Sequence, residues 1–213
     1  MESIISFSFP ALGYTCSLNP RGRRKYGTLE QLLATKGSPS TVGLPDGTSA
    51  PRPDIRVSTK YTSAIEISLD TTIVEGQLQR LLTSGKATWS NTQKYDVIEY
   101  GPGGFFKEHR DKKHKSTHYG TLLIFPPATG TLAHTGGELI VDKGRFKFDS
   151  SINTQWTFIA FHSELPHECR DVLSGRRVVF KTELYSTMPL TESIEPMWYD
   201  ICDGHMPVYT NTD

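Results

Sequence analysis

The spacing of apolar residues predicts a chain built mostly of short β-strands. From Asp54 onward apolar and polar residues alternate over short runs such as Ala64–Ser68, which is typical of strands with one buried face. Turn residues separate the further strand candidates, which are Ile55–Val57, Tyr95–Tyr100, Gly120–Phe125, Glu138–Val141, Arg145–Phe148, Gln155–Phe161, Glu168–Val172 and Arg176–Tyr185. Many short strands at this spacing predict a mainly β (α+β) fold, a jelly roll supported by helices.

Two segments carry the spacing of a helix instead. In Ile73–Ser84 the apolar residues recur on one helical face, and Gly85 follows as a stop. A shorter helix is predicted within Tyr26–Thr35, which contains three leucines. Helices are therefore expected only at the margins of the strand-rich region.

A loop or linker is predicted at Gly37–Pro53, because twelve of its seventeen residues are Gly, Pro, Ser or Thr. We therefore expect three parts. Residues 1–53 form an N-terminal extension and linker, residues 54–188 form the β domain, and residues 189–213 form a C-terminal extension.

The composition narrows the classes of protein that fit. A length of 213 residues suggests one main domain, and 23 basic residues balance 23 acidic ones. That balance argues against a protein that coats nucleic acid or an anionic membrane. No apolar run approaches the roughly 18 residues of a membrane helix, and Glu2 stands where a signal peptide carries Lys or Arg. Three widely spaced cysteines form no disulfide framework, so we expect a cytoplasmic protein without membrane association.

Among the seven histidines, one group indicates a metal site. His109 and Asp111 are two residues apart, so on an extended chain both side chains point to the same side and can reach one ion. His167 on a distant strand is the candidate third ligand, with His162 and His134 as alternatives. Two imidazoles and one carboxylate form the facial triad typical of non-haem iron, which leaves the opposite face of the ion open.

The triad stands within an ordered series of motifs. The first motif ends at the first candidate ligand and reads Tyr100-Gly-Pro-Gly-Gly-Phe-Phe-Lys-Glu-His109. Further along the chain come Gly136-Gly-Glu-Leu139, Trp156-Thr-Phe-Ile-Ala-Phe-His-Ser163 and the segment His167–Arg177. With these motifs, residues 95–186 resemble the Fe(II)- and 2-oxoglutarate-dependent dioxygenases, specifically their prolyl 4-hydroxylase-like branch. The resemblance covers roughly the C-terminal half of the chain. It implies a double-stranded β-helix (jelly roll) flanked by helices.

The resemblance also implies the cofactors and the catalytic residues. His109, Asp111 and His167 would be the iron ligands. The cofactors would be Fe(II), 2-oxoglutarate as cosubstrate and O2, with ascorbate as reductant. A site with one carboxylate and a divalent ion has a net charge of about +1, which suits an anionic chelator.

The same resemblance assigns a cosubstrate pocket. Arg177, ten residues after His167, corresponds to the basic residue that binds the 5-carboxylate of 2-oxoglutarate. Tyr100, nine residues before His109, corresponds to a tyrosine that hydrogen-bonds the same carboxylate. Phe125 and Leu139 fall where family members line the pocket.

Arg176 and Lys181 are alternatives to Arg177 on the same predicted strand. Strand alternation separates them into two faces, of which one carries Arg176, Val178, Phe180 and Leu184 and the other carries Arg177, Val179, Lys181 and Glu183. The first face is typical of core packing. The second is the more polar face expected of a cavity, which favours Arg177.

The substrate that the resemblance implies is proline in a protein or peptide, hydroxylated with release of succinate and CO2. The same chemistry on a nucleobase, another amino-acid side chain or a small metabolite is the alternative. Nucleic-acid demethylases usually have a second arginine six positions beyond the first, where this chain has Glu183. The non-enzymatic alternative is an inactive jelly-roll binding module.

Overall fold

The computed structural model describes residues 4–9, 14–18, 26–27, 29–61, 65–69, 87–88, 95–112 and 117–186. These residues include one short α-helix, α1 (Leu29–Leu33), and three single turns of 3-10 helix at Gly130–Leu132, Asp142–Gly144 and Ser150–Ile152. The strands are β1 (Ile4–Phe9), β2 (Tyr14–Leu18), β3 (Tyr26–Gly27), β4 (Ser38–Pro39), β5 (Val42–Gly43), β6 (Ser49–Ala50), β7 (Arg56–Val57), β8 (Thr59–Tyr61), β9 (Ile65–Leu69), β10 (Ala87–Thr88), β11 (Asp96–Tyr100), β12 (Phe105–His109), β13 (His118–Phe125), β14 (His134–Gly136), β15 (Leu139–Val141), β16 (Phe146–Phe148), β17 (Trp156–His162), β18 (His167–Cys169), β19 (Val172–Gly175) and β20 (Arg177–Ser186).

The largest sheet has eight antiparallel strands in the order β1-β17-β13-β20-β11-β8-β4, with β10 also paired to β20. Strand β17 lies between β1 and β13, and six of its seven residues are buried. A central strand covered on both faces needs apolar side chains on both, which explains why the Trp156–Phe161 run is almost continuously apolar rather than alternating.

A second, five-stranded sheet has the order β16-β15-β18-β12-β7, and β14 and β19 form a two-stranded ribbon beside it. Smaller antiparallel groups are β3-β2-β9 and β5-β6. The buried side chains of one core cluster come from both large sheets, and they are Ile98, Tyr100, Leu123, Phe125, Leu139, Val141, Ile159, Phe161, Leu165, Cys169, Val172 and Val179. Two antiparallel sheets enclosing one core confirm the predicted mainly β jelly roll.

Several predicted elements differ from the structure in detail. The predicted single strand Glu168–Val172 is wrong, because the chain changes partners there: β18 pairs with β12 and β15, whereas β19 pairs with β14. Strand β1 pairs with β17 along its whole length, so part of the expected N-terminal extension belongs to the main sheet. The predicted linker 37–53 contains only the two-residue strands β4, β5 and β6.

The predicted N-terminal helix is present as α1, whose Leu29, Leu32 and Leu33 are buried. The predicted helix Ile73–Ser84 and the predicted extension 189–213 lie outside the described residues. Among the residues that the structure describes, no helix has the length and apolar character needed to cross a membrane.

Candidate functional site

A cavity with an empty volume of about 440 Å³, including its open mouth, lies between the two large sheets. The apolar lining that the main sheet contributes, here called the floor, includes Ile98, Leu123 and Val179. Its polar lining includes His109, His167, Tyr100, Arg177, Lys181 and Arg56. The cavity therefore combines a mainly apolar floor with a few converging polar groups, as binding sites for small molecules do.

Strand pairing brings the two histidines together. His109 at the end of β12 lies directly opposite His167 at the start of β18, and their ring centroids are 4.2 Å apart. Asp111 follows two residues after His109. Each of the three side chains has one ligand atom within 4.8 Å of the others. Within the described part of the chain, this His–Asp–His group is the only cluster of its kind that could hold a metal ion.

Backbone carbonyls orient both imidazole rings in the same way. The Nδ1 of His109 donates to the carbonyl oxygen of Lys107 at 2.9 Å, and the Nδ1 of His167 donates to that of Leu165 at 3.0 Å. A carbonyl only accepts, so each Nδ1 carries the proton and each Nε2 keeps its lone pair. This arrangement is typical of metal-binding histidines.

Burial keeps these imidazoles neutral. Burial, followed by the effect of the neighbouring His167, lowers the pKa of His109 to about 3. Burial also lowers the pKa of His167. Neutral imidazoles with free Nε2 lone pairs are the form that binds a metal ion.

Asp111 is held by donors from two strands of the main sheet. Lys181 on β20 donates from its Nζ to Oδ1 at 2.6 Å, and the hydroxyl of Thr121 on β13 donates to Oδ2. Oδ2 also lies 3.8 Å from the Nε2 of His167. Burial alone would raise the pKa of Asp111, but the charge of Lys181, then the neighbouring His167 and the two hydrogen bonds outweigh it and lower the pKa. The carboxylate is therefore ionised at neutral pH.

A stack of side chains supports His109 from the second sheet. The ring of Phe106 stacks on that of His109, with 3.5 Å between centroids and 20° between planes. The guanidinium carbon of Arg56 lies 4.5 Å from the centre of the Phe106 ring. Sequence reasoning missed both residues as parts of the site. Arg56 lies opposite Phe106 in the β7–β12 pairing, a contact between distant segments that has no local signal.

Arg177 is a buried cation, and no carboxylate of the described residues is in ion-pair contact with it. The residue is 2% exposed, and its Nε has no hydrogen-bond partner among those residues. The guanidinium carbon lies 5.1 Å from the ring centres of both Tyr100 and Phe125. Gly137 leaves the space for this side chain, since a Cβ there would lie 2.5 Å from Cδ of Arg177. Because buried polar groups are almost always paired, the unpaired Nε marks a place for an external acceptor.

The two alternatives to Arg177 have other partners. Arg176, which directly precedes β20, points away from the cavity and binds Glu99 through Nε at 2.8 Å and Nη2 at 3.0 Å. Glu99 also accepts from the hydroxyl of Tyr61 at 2.6 Å, so this network joins β8, β11 and the start of β20. Lys181 lies on the cavity side with Arg177, at the end occupied by Asp111.

The remaining predicted pocket residues are all in the core. Tyr100 and Leu139 line the cavity, and burial raises the pKa of Tyr100. Phe125 is 1% exposed and contacts Arg177 and Phe148, but it does not line the cavity. Its place is behind the guanidinium rather than on the wall.

The alternative third ligands do not join the His–Asp–His group. Both ring nitrogens of His134 are already bonded, Nδ1 to the carbonyl of Leu132 at 2.9 Å and Nε2 to the hydroxyl of Ser150 at 3.0 Å. The Nδ1 of His162 accepts from the backbone N–H of Glu164 at 3.2 Å. Both histidines stabilise local backbone.

No protein-family model and no curated protein sequence matches the chain. Several solved structures are similar to the chain. A prolyl-4-hydroxylase of Pseudomonas putida is 17% identical, with 63% of this chain and 74% of that chain covered and a TM-score of 0.44. A 2OG-Fe(II) oxygenase family oxidoreductase of Burkholderia pseudomallei is 15% identical, with 76% and 78% covered and a TM-score of 0.41. A Trichoplax adhaerens prolyl hydroxylase, in complex with a hypoxia inducible factor peptide fragment, is 19% identical, with 82% and 83% covered and a TM-score of 0.49.

The cavity thus joins two features that bear on its chemistry. Two neutral imidazoles and an ionised carboxylate lie within reach of one ion. A buried guanidinium with an unpaired Nε lines the same cavity. The chain is a two-sheet β protein with a candidate metal centre between its sheets.

Proposed function

We propose that this chain is an Fe(II)- and 2-oxoglutarate-dependent dioxygenase that hydroxylates a C–H bond. One observation carries the proposal: the His–Asp–His group shares its cavity with Arg177, a buried cation whose Nε lacks a partner. The first feature fits a divalent metal ion, and the second fits the far end of an anionic ligand. Both fall on the residues that the motif resemblance assigned to those roles.

His109, Asp111 and His167 would hold the iron. Two neutral nitrogen donors and one carboxylate are the donor set of a facial triad, which suits Fe(II) and leaves coordination positions open. The chain prepares the donors before the ion binds. Backbone carbonyls orient both rings, and Lys181 with Thr121 keeps the carboxylate ionised and in place.

Arg177 and Tyr100 would hold the 5-carboxylate of 2-oxoglutarate. A guanidinium presents its donors in a fixed fork that matches a carboxylate, and such charge-assisted hydrogen bonds are short and strong. The unpaired Nε of Arg177 would then gain an acceptor. The apolar floor formed by Ile98, Leu123 and Val179 would pack against the carbon chain and exclude water.

When bound, iron, 2-oxoglutarate and O2 supply the oxidative chemistry, in which one oxygen atom enters the substrate C–H bond and the other enters succinate as CO2 is released. Ascorbate would serve as the reductant that keeps the iron ferrous. The chain's residues bind and orient these partners, and its buried cavity limits contact with water.

Proline in a protein or peptide is the substrate that we propose. The Tyr100–His109 and Gly136–Leu139 motifs resemble the prolyl 4-hydroxylase-like branch, and Glu183 stands where a nucleic-acid demethylase usually has its second arginine. The balanced charge of the chain supports a substrate other than a phosphate backbone.

The test is succinate release from 2-oxoglutarate, with Fe(II) and ascorbate, across a panel of proline peptides, nucleic acids and free amino acids. We expect proline peptides to stimulate turnover and to gain about 16 Da, the mass of one oxygen atom. His167→Ala should abolish turnover. His134→Ala is the matched control, because His134 is bonded to Leu132 and Ser150 outside the site.

Two outcomes would contradict different parts of the proposal. Stimulation by a nucleic acid or a free amino acid alone would replace the substrate and keep the iron chemistry. Absence of any 2-oxoglutarate binding to the metal-loaded protein would overturn the dioxygenase itself.

A further inference from the structure

Lys181 is a further cation in the cavity, beside Arg177 and Arg56, and the motif resemblance gives it no role. Its Nζ lies 2.6 Å from Oδ1 of Asp111, and its side chain is 25% exposed. It lies on the same face of β20 as Arg177, with Val179 between them, and all three residues line the cavity. Lys181 therefore lies at the Asp111 end of this face, and Arg177 lies four residues before it in the sequence.

The charges at the Asp111 end do not balance once a divalent ion is bound. Within the described part of the chain, Asp111 is the only acidic group in ion-pair contact with Lys181. His109 and His167 are uncharged ligands, and Glu168, which also lines the cavity, lies 3.5 Å from Arg170. A divalent ion on Asp111 would thus bring two positive charges beside the ammonium group, with one carboxylate shared between them. Like charges at such short range repel strongly in a partly buried site.

We propose that Lys181 couples the binding of the divalent ion to the binding of an anionic chelator, whose metal-bound carboxylate it contacts. This inference rests on the proposed function, because 2-oxoglutarate is such a chelator. An ammonium group has three donors, and the structure assigns one of them to Asp111, so others can meet a second carboxylate. The chelator's negative charge would relieve the repulsion between the ion and Lys181.

The coupling has a definite sign. Without a chelator, Lys181 opposes the ion and weakens its binding. With a chelator, Lys181 becomes a favourable contact. By linkage, the ion raises the affinity for the chelator by the same factor as the chelator raises the affinity for the ion. Removing the charge of Lys181 should therefore tighten binding of the ion alone and reduce the coupling.

The experiment is a titration of the full chain with Mn(II), followed by electron paramagnetic resonance, without and with saturating N-oxalylglycine. N-oxalylglycine keeps both carboxylates of 2-oxoglutarate and is not turned over, so the readout is binding rather than activity. The charge is removed in Lys181→Met and in Lys181→Gln, and the second variant retains an N–H donor. Lys181→Arg retains the charge. Lys147→Met, which removes an exposed lysine on β16, is the matched control.

For the wild-type protein and Lys147→Met we expect N-oxalylglycine to lower the Kd for Mn(II) by about tenfold or more, within the usual range of coupling between two sites. In Lys181→Met and Lys181→Gln, the Kd without the chelator should fall and the chelator effect should shrink to about threefold or less. Comparing the variants isolates the part that Lys181 contributes, since chelation itself is common to all. Lys181→Arg should behave like the wild type.

Equal chelator effects in the wild type and in both uncharged variants would overturn the inference and leave the proposed function standing. Weaker Mn(II) binding in both uncharged variants without the chelator would also overturn it, because Lys181 would then only hold Asp111 in place. If the wild-type protein binds Mn(II) but neither N-oxalylglycine nor 2-oxoglutarate, the proposed function fails as well. Circular dichroism checks that each variant is folded.

Discussion

Replacing Arg177 by methionine should weaken the binding of 2-oxoglutarate without lowering the stability of the ligand-free protein. In the ligand-free protein Arg177 is a cation, 2% exposed and with an unpaired Nε, and among the described residues the rings of Tyr100 and Phe125 offset its burial. An unpaired buried charge costs several kcal/mol, whereas each cation–ring contact stabilises by roughly 0.5–2 kcal/mol. Methionine has a similar length and no charge. We therefore expect the free energy of unfolding without ligand to stay constant or to rise by about 1–2 kcal/mol.

The affinity for 2-oxoglutarate should change in the opposite direction. A hydrogen bond to a charged group contributes roughly 1.5–3 kcal/mol, and about 1.4 kcal/mol corresponds to a factor of ten. Losing the guanidinium should thus raise the Kd for 2-oxoglutarate about 10- to 100-fold, while binding of the metal ion alone changes little. Isothermal titration of the Mn(II)-loaded protein measures the Kd, and urea unfolding of the metal-free protein measures the stability.

Arg176→Met is the matched control, because Arg176 directly precedes β20 and points to the opposite side from Arg177. It removes two hydrogen bonds to Glu99, whose side chain is 14% exposed, and leaves Tyr61 as a remaining partner. This variant should lose about 1–2 kcal/mol of stability, since Arg176 itself is partly exposed, and should keep its affinity for 2-oxoglutarate. The reasoning is refuted if Arg176→Met weakens 2-oxoglutarate binding more than Arg177→Met does, or if Arg177→Met loses stability at unchanged affinity.

Further predictions concern pH and the surroundings of Arg177. Because burial places the folded-state pKa values of His109 and His167 below the unfolded value near 6.5, protons bind the unfolded chain first. The stability of the metal-free protein should therefore be greatest above pH 6.5 and should fall as the pH is lowered toward 3. Urea unfolding across this range measures the dependence of stability on pH, which should be weaker in His109→Gln. An unchanged dependence in this variant would contradict the prediction. Gly137→Ala should destabilise the fold by roughly 1–3 kcal/mol and weaken 2-oxoglutarate binding, because φ there is +77° and a Cβ would displace Arg177; a neutral result in thermal melts would show that the side chain has other room. Tyr100→Phe should raise the Kd for 2-oxoglutarate about 10- to 100-fold in the same titration, because its hydroxyl would donate to a charged carboxylate, and no change would remove this residue from the pocket.

Local patterns were sufficient to predict the positions of β7, β9, β11, β13, β15, β16, β17 and β20, and the two faces of β20. Side chains alternate between the faces of a strand, so residues i and i+2 share a side wherever the strand runs. This local rule placed Arg177 and Lys181 on one side and Arg176 on the other, as the structure has them. The same rule put His109 and Asp111 on one side of the chain.

Pairing between distant segments had no local signal. The partner change that divides β18 from β19, and the addition of β1 to the main sheet, depend on which edges are free after folding. The register of an antiparallel pair places His109 opposite His167, although the resemblance had already connected these two residues. Sequence spacing alone does not determine such a register.

The sequence by itself determined the fold class, the shared side of His109 and Asp111 and the face that carries Arg177, because residue type and a two-residue period are local properties. Only the tertiary structure decided which groups surround them. Thr121 and Lys181 reach Asp111 from separate strands, and Arg56 supports Phe106 from a third segment. Charges and hydrogen bonds act through space rather than along the chain, so the electrostatics of the site exist only once the strands are packed together.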